Sequence, residues 1–206
     1  KTGQLAVMTR VAEAAQHAIL APVPSRLGPL RLAGAYVSAA TEALVGGDLY
    51  EIVRLPAAAR LIVGDVRGKG LDAVRLATIV LGHFRSAAAD CPDLRDLARR
   101  MDSRLRPYLD DEDFVTALLV EVADDGSASV AVCGHPSAMV AYEGRIEEVG
   151  RAGSLPLGLG ADPEPVWFSL PPGARLLLYT DGLVAARLQD GRFVDLPRLL
   201  EPLTTG

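Results

Sequence analysis

The chain has 206 residues, 50% of them apolar and 23% charged, with a formal net charge of −5. That balance excludes a disordered chain, provides a sizeable core for one large or two very small domains, and argues against nucleic acid as the main partner. No apolar run approaches the ~18–20 residues of a membrane span, and the opening Lys1-Thr2-Gly3-Gln4 has neither a signal peptide nor an initiator Met, as expected of a piece of a longer protein.

Only 5% of residues are aromatic, so the core is expected to be Ala, Val and Leu. Cys91 and Cys133 lack C-x-x-C spacing and read as buried thiols in a reducing, cytoplasmic setting. His17, His83 and His135 are scattered and form no zinc pattern.

The first predicted element is a helix over residues 5–20, with Met8, Val11, Ala15, Ala18 and Ile19 at helical spacing. "APVPSRLGP" breaks it, because proline lacks a donor and restricts its predecessor. This 1–29 segment either packs on the domain or carries a signal from an upstream sensor or membrane segment; the domain proper is then 30–206. Apolar residues on the helix would also permit a homodimer.

Strands are predicted at 30–40, 48–55 and 60–66, the last two joined by "PAAA". Residues 71–89 read as a buried helix with Val74, Ala77, Leu81, Phe84 and Ala88 on one face, and a second helix runs from Leu94 to Leu109 with Asp93 as N-cap. Strands return at 114–122, 128–133, 138–142 and 145–149, with turns at "DDGS" and "YEGR". A long loop over 155–165, strands at 166–170 and 175–180, and a short amphipathic segment at 196–203 complete the chain. Strands, two helices, then strands predict an α+β fold: two antiparallel sheets face to face, with the helix pair on one.

Three aspartates share one context. Asp48 follows "VGG", Asp65 sits in "IVGDVRGKG", and Asp181 ends the apolar run "RLLLYTDG". Each alone reads as a turn residue. Together, with no Arg or Lys built into the pattern, they read as like charges that a cation must hold. Oxygen donors without Cys or His imply Mg²⁺ or Mn²⁺.

In order, "VGGDLYEIV", "IVGDVRGKGLDAV", "FVTALLVEV", "CGHPSAMV", "LPLGLG" and "LLLYTDGLVAAR" resemble the metal-dependent serine/threonine phosphatases of the PPM (protein phosphatase 2C-like) superfamily, in the branch of stage II sporulation protein E and the sigma-factor-regulation phosphatases. The resemblance covers about residues 1–200. It implies a central β-sandwich flanked by helices in four layers, and two Mn²⁺ or Mg²⁺ ions. Asp65 would bridge the ions, the Val66 carbonyl and Asp48 would serve one of them, and Asp181 the other, so that a metal-activated water attacks phosphoserine or phosphothreonine. It further implies bacterial signalling, with a phosphorylated anti-sigma-factor antagonist as substrate.

Two departures from the family pattern stand out. Arg67 occupies a position where some relatives carry His, and is expected to face solvent or steady the phosphate. The sequence reaches "EPLTTG" before the family's C-terminal acidic ligand, so the fold is expected to lack its C-terminal part and one metal site to be weakly held; Asp190 and Asp195 come too early to replace that ligand. A catalytically inactive binding module with the same fold is the alternative. A nucleotide site is a poorer one, since neither G-x-x-x-x-G-K-[ST] nor G-x-G-x-x-G is present. His135 is expected to position a strand-to-turn junction, Thr180 to be a strand residue, Gly68 and Gly70 to permit a tight strand-to-helix turn, and Trp167 and Phe168 to pack.

Overall fold

The computed structural model describes residues 11, 14–16, 18–36, 46–110, 112–187 and 191–204. Its strands in chain order are β1 (Arg26–Leu27), β2 (Leu30–Arg31), β3 (Asp48–Arg54), β4 (Ala58–Val66), β5 (Val115–Ala123), β6 (Ser127–Cys133), β7 (Ala138–Tyr142), β8 (Arg145–Val149), β9 (Val166–Ser169) and β10 (Arg175–Leu177). Its helices are α1 (Leu71–Ala87), α2 (Leu94–Leu105), α3 (Asp181–Ala185) and α4 (Leu196–Leu200). The described residues between 11 and 19 are also helical.

The period-two pattern of β5 explains the layering. Val115, Ala117 and Leu119 point to one side, where they join Leu49, Ile62 and Val66 under α1 and α2. Leu118, Val120 and Val122 point to the other, where they meet Val130, Val132 and Ala138, with Leu176 and Phe168 packed against them. A five-stranded antiparallel sheet, ordered β3-β4-β5-β6-β9, thus lies between the helix pair and a three-stranded sheet, β10-β7-β8. Leu196 and Leu200 of α4 cover the far face of the smaller sheet at Met139, Leu177 and Tyr179. The order helix, sheet, sheet, helix is the expected four-layer α+β sandwich.

The α1 stripe is buried as its spacing requires: Val74, Ala77, Leu81, Phe84 and Ala88 are all 5% exposed or less. Asp93 caps α2 by accepting from the Asp96 N–H. Four expectations need correction. The strand expected over 175–180 ends at Leu177, which leaves Thr180, expected in that strand, as the N-cap of α3. The strand expected over 30–40 is confined to Leu30–Arg31, in a two-residue ribbon with β1, and residues 37–40 lie outside the described ones. The helix expected to reach Leu109 stops at Leu105 and tightens into a 3₁₀ turn at Arg106–Tyr108, because Pro107 cannot donate to a helical carbonyl. Trp167, expected to pack, is 67% exposed on the edge strand β9, whereas Phe168 packs inward. Much of the 5–20 helix lies outside the described residues; of its described stripe, Ala15 and Ile19 pack against Val74, while Val11 is 51% exposed.

Two buried polar residues hold the layers together. Arg60, 3% exposed, donates to Glu121 (2.5 Å) and to the carbonyls of Ala88 (2.8 Å), Cys91 (2.7 Å) and Pro92 (3.1 Å), tying β4 to the exit of α1. Asp102, on the buried face of α2, accepts the backbone N–H groups of Gly158 (2.8 Å), Gly160 (2.9 Å) and Ala161 (3.0 Å), and a bond from Arg106 (3.0 Å). Burial alone would raise its pKa; the N–H donors and Arg106 outweigh that and hold it below the usual carboxylate range. The "LPLGLG" segment is therefore a loop wrapped on a carboxylate.

Replacing Arg60 with Leu leaves Glu121 and three carbonyls without their donor. The expected loss is about 3–5 kcal/mol of stability, read as a lower urea midpoint, the size typical of breaking a buried ion pair from one side. An unchanged midpoint would show that water replaces the guanidinium.

Candidate active site

The antiparallel register of β3 and β4 places Asp48 directly opposite Asp65. Leu49, Ile62 and Val66 face the helices, so alternation turns both aspartates to the other face, toward the smaller sheet. Opposed residues of such a pair have Cβ atoms about 4.5–5.5 Å apart, and like charges there are destabilising. Asp181 arrives from the smaller sheet: the chain leaves β10, passes Tyr179 and Thr180, and begins α3 at Asp181. All three sequence-predicted carboxylates thus share one region.

Their electrostatics confirm the proximity. Burial, followed by the charges of Asp48 and Asp181, pushes the Asp65 carboxyl up to about 6, although the Gly47 N–H pulls it down. Asp48 is raised by burial and by Asp181, against a lowering hydrogen bond from the Thr180 hydroxyl. None of the ion pairs formed among the described residues involves Asp48, Asp65 or Asp181. The donor set is hard oxygen, negatively charged and uncompensated, which fits divalent cations of the Mg²⁺ or Mn²⁺ type. It is an open set: among the described residues, no group of three or more His, Cys, Asp or Glu side chains is closed around a point that could hold an ion.

Backbone geometry brings the strand ends together. The Val66 N–H donates to the Gly47 carbonyl (3.1 Å), and a Cβ on Gly47 would run into the Val66 carbonyl oxygen. Only glycine fits at position 47, and the Val66 carbonyl consequently lies at the carboxylate end of the pair. Gly68 and Gly70, at φ +111° and +82°, make the turn from β4 into α1.

Arg67 is exposed, as expected, and is held on the surface by a neighbouring loop. Its guanidinium donates to the Glu112 carbonyl, pairs with the Glu112 carboxylate (3.2 Å) and lies over the Phe114 ring (5.6 Å). It fastens the 112–114 loop to the end of β4.

Three polar residues that sequence reasoning passed over, or read only as local structure, surround the aspartates. Gln16, 1% exposed, donates to the Asp48 carbonyl (3.0 Å) and accepts from the Tyr36 hydroxyl (2.9 Å). Thr116, opposite Asp65 in the β4–β5 register, meets His135 Nδ1 at 2.9 Å. His135, 7% exposed, places Nε2 3.0 Å from the Tyr179 carbonyl, and burial lowers its pKa to about 4, so the ring is neutral.

Residues 56–206 match the family model for stage II sporulation protein E (SpoIIE). The chain belongs to the SpoIIE family. No curated protein matches it. Among solved structures, the RsbU and RsbW domains of Rv1364c from Mycobacterium tuberculosis superpose with a TM-score of 0.69 at 22% identity, covering 81% of this chain and 47% of that one. The PP2C phosphatase domain of SpoIIE from Bacillus subtilis, with a fragment of its regulatory domain, gives 0.68 at 22% identity over 82% and 51%. The PP2C domain of SiaA from Pseudomonas aeruginosa gives 0.65 at 20% identity over 76% and 66%. The chain spans about half the length of the first two. At these identities the likeness is one of fold, and the fold is that of PP2C-type serine/threonine phosphatases.

Because ionised Asp65 is penalised in the folded state, metal-free protein is expected to lose stability as pH rises from about 4 through about 6. Asp65→Asn removes that penalty. In EDTA at pH 7.5 the variant should be more stable by about 1–2 kcal/mol after allowing for partial exposure, with no advantage near about pH 4. Equal urea midpoints at pH 7.5 would contradict the crowding of charge described here.

Proposed function

We propose that this SpoIIE-family domain hydrolyses phosphoserine and phosphothreonine in proteins, using two Mn²⁺ or Mg²⁺ ions. The observation that carries the reading is the convergence of half-buried Asp48 and Asp65, paired across β3 and β4, with exposed Asp181 at the start of α3, and no ion pair to any of them among the described residues. A relative, RsbX, is described in complex with magnesium and shares the fold (TM-score 0.58, 15% identity). When bound, the ions supply a hydroxide nucleophile and neutralise the phosphate oxygens. Asp65 would bridge them, Asp48 and the Val66 carbonyl would hold one, and Asp181 the other. The chain contributes placement: the β3–β4 register sets two carboxylates, the β10 exit brings the third, and Thr180 joins the two groups through Asp48. Arg67, committed to Glu112, leaves the phosphate to the ions and is not the proton donor to the leaving group.

The open carboxylate set is the observation that favours the second reading, a catalytically weak or inactive regulatory module of the same fold. The assay that separates them is release of phosphate from a phosphoserine peptide with Mn²⁺ or with EDTA, for the native chain and Asp65→Asn. A phosphatase loses at least about a hundredfold in either control; a module has no rate to lose.

The family and its relatives support a place in bacterial signalling: the solved structures that share the fold include the cell fate determinant SpoIIE and a protein of the bacterial stressosome. We assign a phosphorylated anti-sigma-factor antagonist as substrate on that basis. The segment 1–29 is read as a regulatory connector to an upstream sensor, supported by the Gln16 bond to the main chain of Asp48. No helix among the described residues is long and apolar enough to cross a membrane, and a homodimer through the first helix is compatible with exposed Val11. Gln16→Ala should raise the Mn²⁺ concentration needed for half-maximal rate by about fivefold or more while leaving peptide KM unchanged. No change in either would remove the connector from the account.

A further inference from the structure

At the end of β6 the chain leaves the five-stranded sheet and enters β7 of the smaller one, and His135 stands in that crossing. Its position is fixed by the turn before it. Gly134 adopts φ +65°, bridges to Ala117 of β5, and donates to the Ser154 carbonyl (3.0 Å). Both ring nitrogens are then engaged, and by different sheets: Nδ1 meets Thr116 Oγ1 on β5 (2.9 Å), and Nε2 meets the Tyr179 carbonyl (3.0 Å), two residues before Asp181.

The protons can be placed. A carbonyl only accepts, so Nε2 carries the hydrogen and donates to Tyr179. In a neutral ring Nδ1 is then the acceptor, and the single Thr116 hydroxyl proton goes to it. The contact of the same hydroxyl with the Asp65 carbonyl oxygen is longer, at 3.3 Å, and takes second place. Thr116 is also the register partner of Asp65. The link from Asp65 therefore passes through its register pairing with Thr116 in the β4–β5 ladder, and from there through the Thr116 and His135 side chains to Tyr179, two residues before Asp181.

We propose that His135 is a positioning residue that sets the separation of Asp65 and Asp181 across the two sheets. The inference rests on the two-ion reading above and adds the element that holds its two halves in step. Neither aspartate supplies such a link itself. They repel, and they sit on different elements: Asp65 on β4 of the five-stranded sheet, Asp181 at the start of α3, beyond β10 of the smaller one. A neutral ring with one donor and one acceptor spans the gap without adding a charge that would compete with a cation. Loss of the ring should let Asp181 drift from Asp65 under their repulsion and weaken any ion that both must hold.

The test is Mn²⁺ binding to the whole chain, measured by the electron paramagnetic resonance of free Mn²⁺, with fold and stability followed by circular dichroism and urea in EDTA. His135→Phe keeps a planar ring and removes both bonds; its Mn²⁺ affinity should fall at least about tenfold, the scale seen when supports of metal ligands are lost. His135→Gln retains a donor toward Tyr179 and should recover most of the loss. Thr116→Val, nearly isosteric, should weaken Mn²⁺ about threefold or more, and serves alone if His135→Phe does not fold. With saturating Mn²⁺ the variants should regain peptide turnover at unchanged KM. Native-like Mn²⁺ affinity in folded His135→Phe, or in Thr116→Val, overturns the proposal while leaving the two-ion reading intact. Failure of the native chain to bind Mn²⁺ overturns both.

Discussion

Two aspartates facing each other on a partly buried sheet surface repel, and much of the polar construction of this domain keeps them there. The β3–β4 register fixes Asp48 against Asp65, with Gly47 admitting the close backbone approach that lets the strand ends meet. A third charge, Asp181, is delivered to the same place from the other sheet. Hydrophobic packing has no preference for such an arrangement. The apolar clusters on either side of the five-stranded sheet supply the stability that makes the strain tolerable.

The side chains that restrain the aspartates act largely on their main chain. Gln16 holds the Asp48 carbonyl, Thr116 approaches the Asp65 carbonyl, and His135 holds the carbonyl of Tyr179. The Thr180 hydroxyl and the Gly47 N–H act on the carboxyl groups themselves, lowering Asp48 and Asp65 respectively against the effect of burial. This division leaves the carboxylate oxygens free for a cation while the backbone behind them is fixed. It also distributes control, because each restraint comes from a different part of the chain: the N-terminal helical segment, β5, the β6–β7 crossing and the exit of β10.

Much of this architecture was legible in the residues. The period of Val74, Ala77, Leu81, Phe84 and Ala88 identified a buried helix, and the alternation along β5 identified a strand covered on both faces. The three Asp-Gly contexts marked the ends of strands that do converge. What could not be read is pairing at a distance. Only the fold brings the exit of α1 to Arg60. Asp102 stands beside Met101, one turn from Ala98, on the apolar face of α2, but its backbone donors come from a loop more than fifty residues on. Arg67 is exposed as expected, yet nothing local announces its pairing with Glu112. Residues 30–36 show the opposite error: apolar content yields a strand only at Leu30–Arg31, where the short ribbon supplies a partner.

The hold of Asp102 on the "LPLGLG" loop has an evolutionary corollary. The carboxylate grips amide hydrogens at Gly158, Gly160 and Ala161, and the backbone it shapes, at φ +97° and +94° in the two glycines, reserves both for glycine while Ala161 stays buried. Leu155 and Leu159, 58% and 46% exposed on the same loop, carry no part of that grip in their side chains and are at liberty to diversify between paralogues.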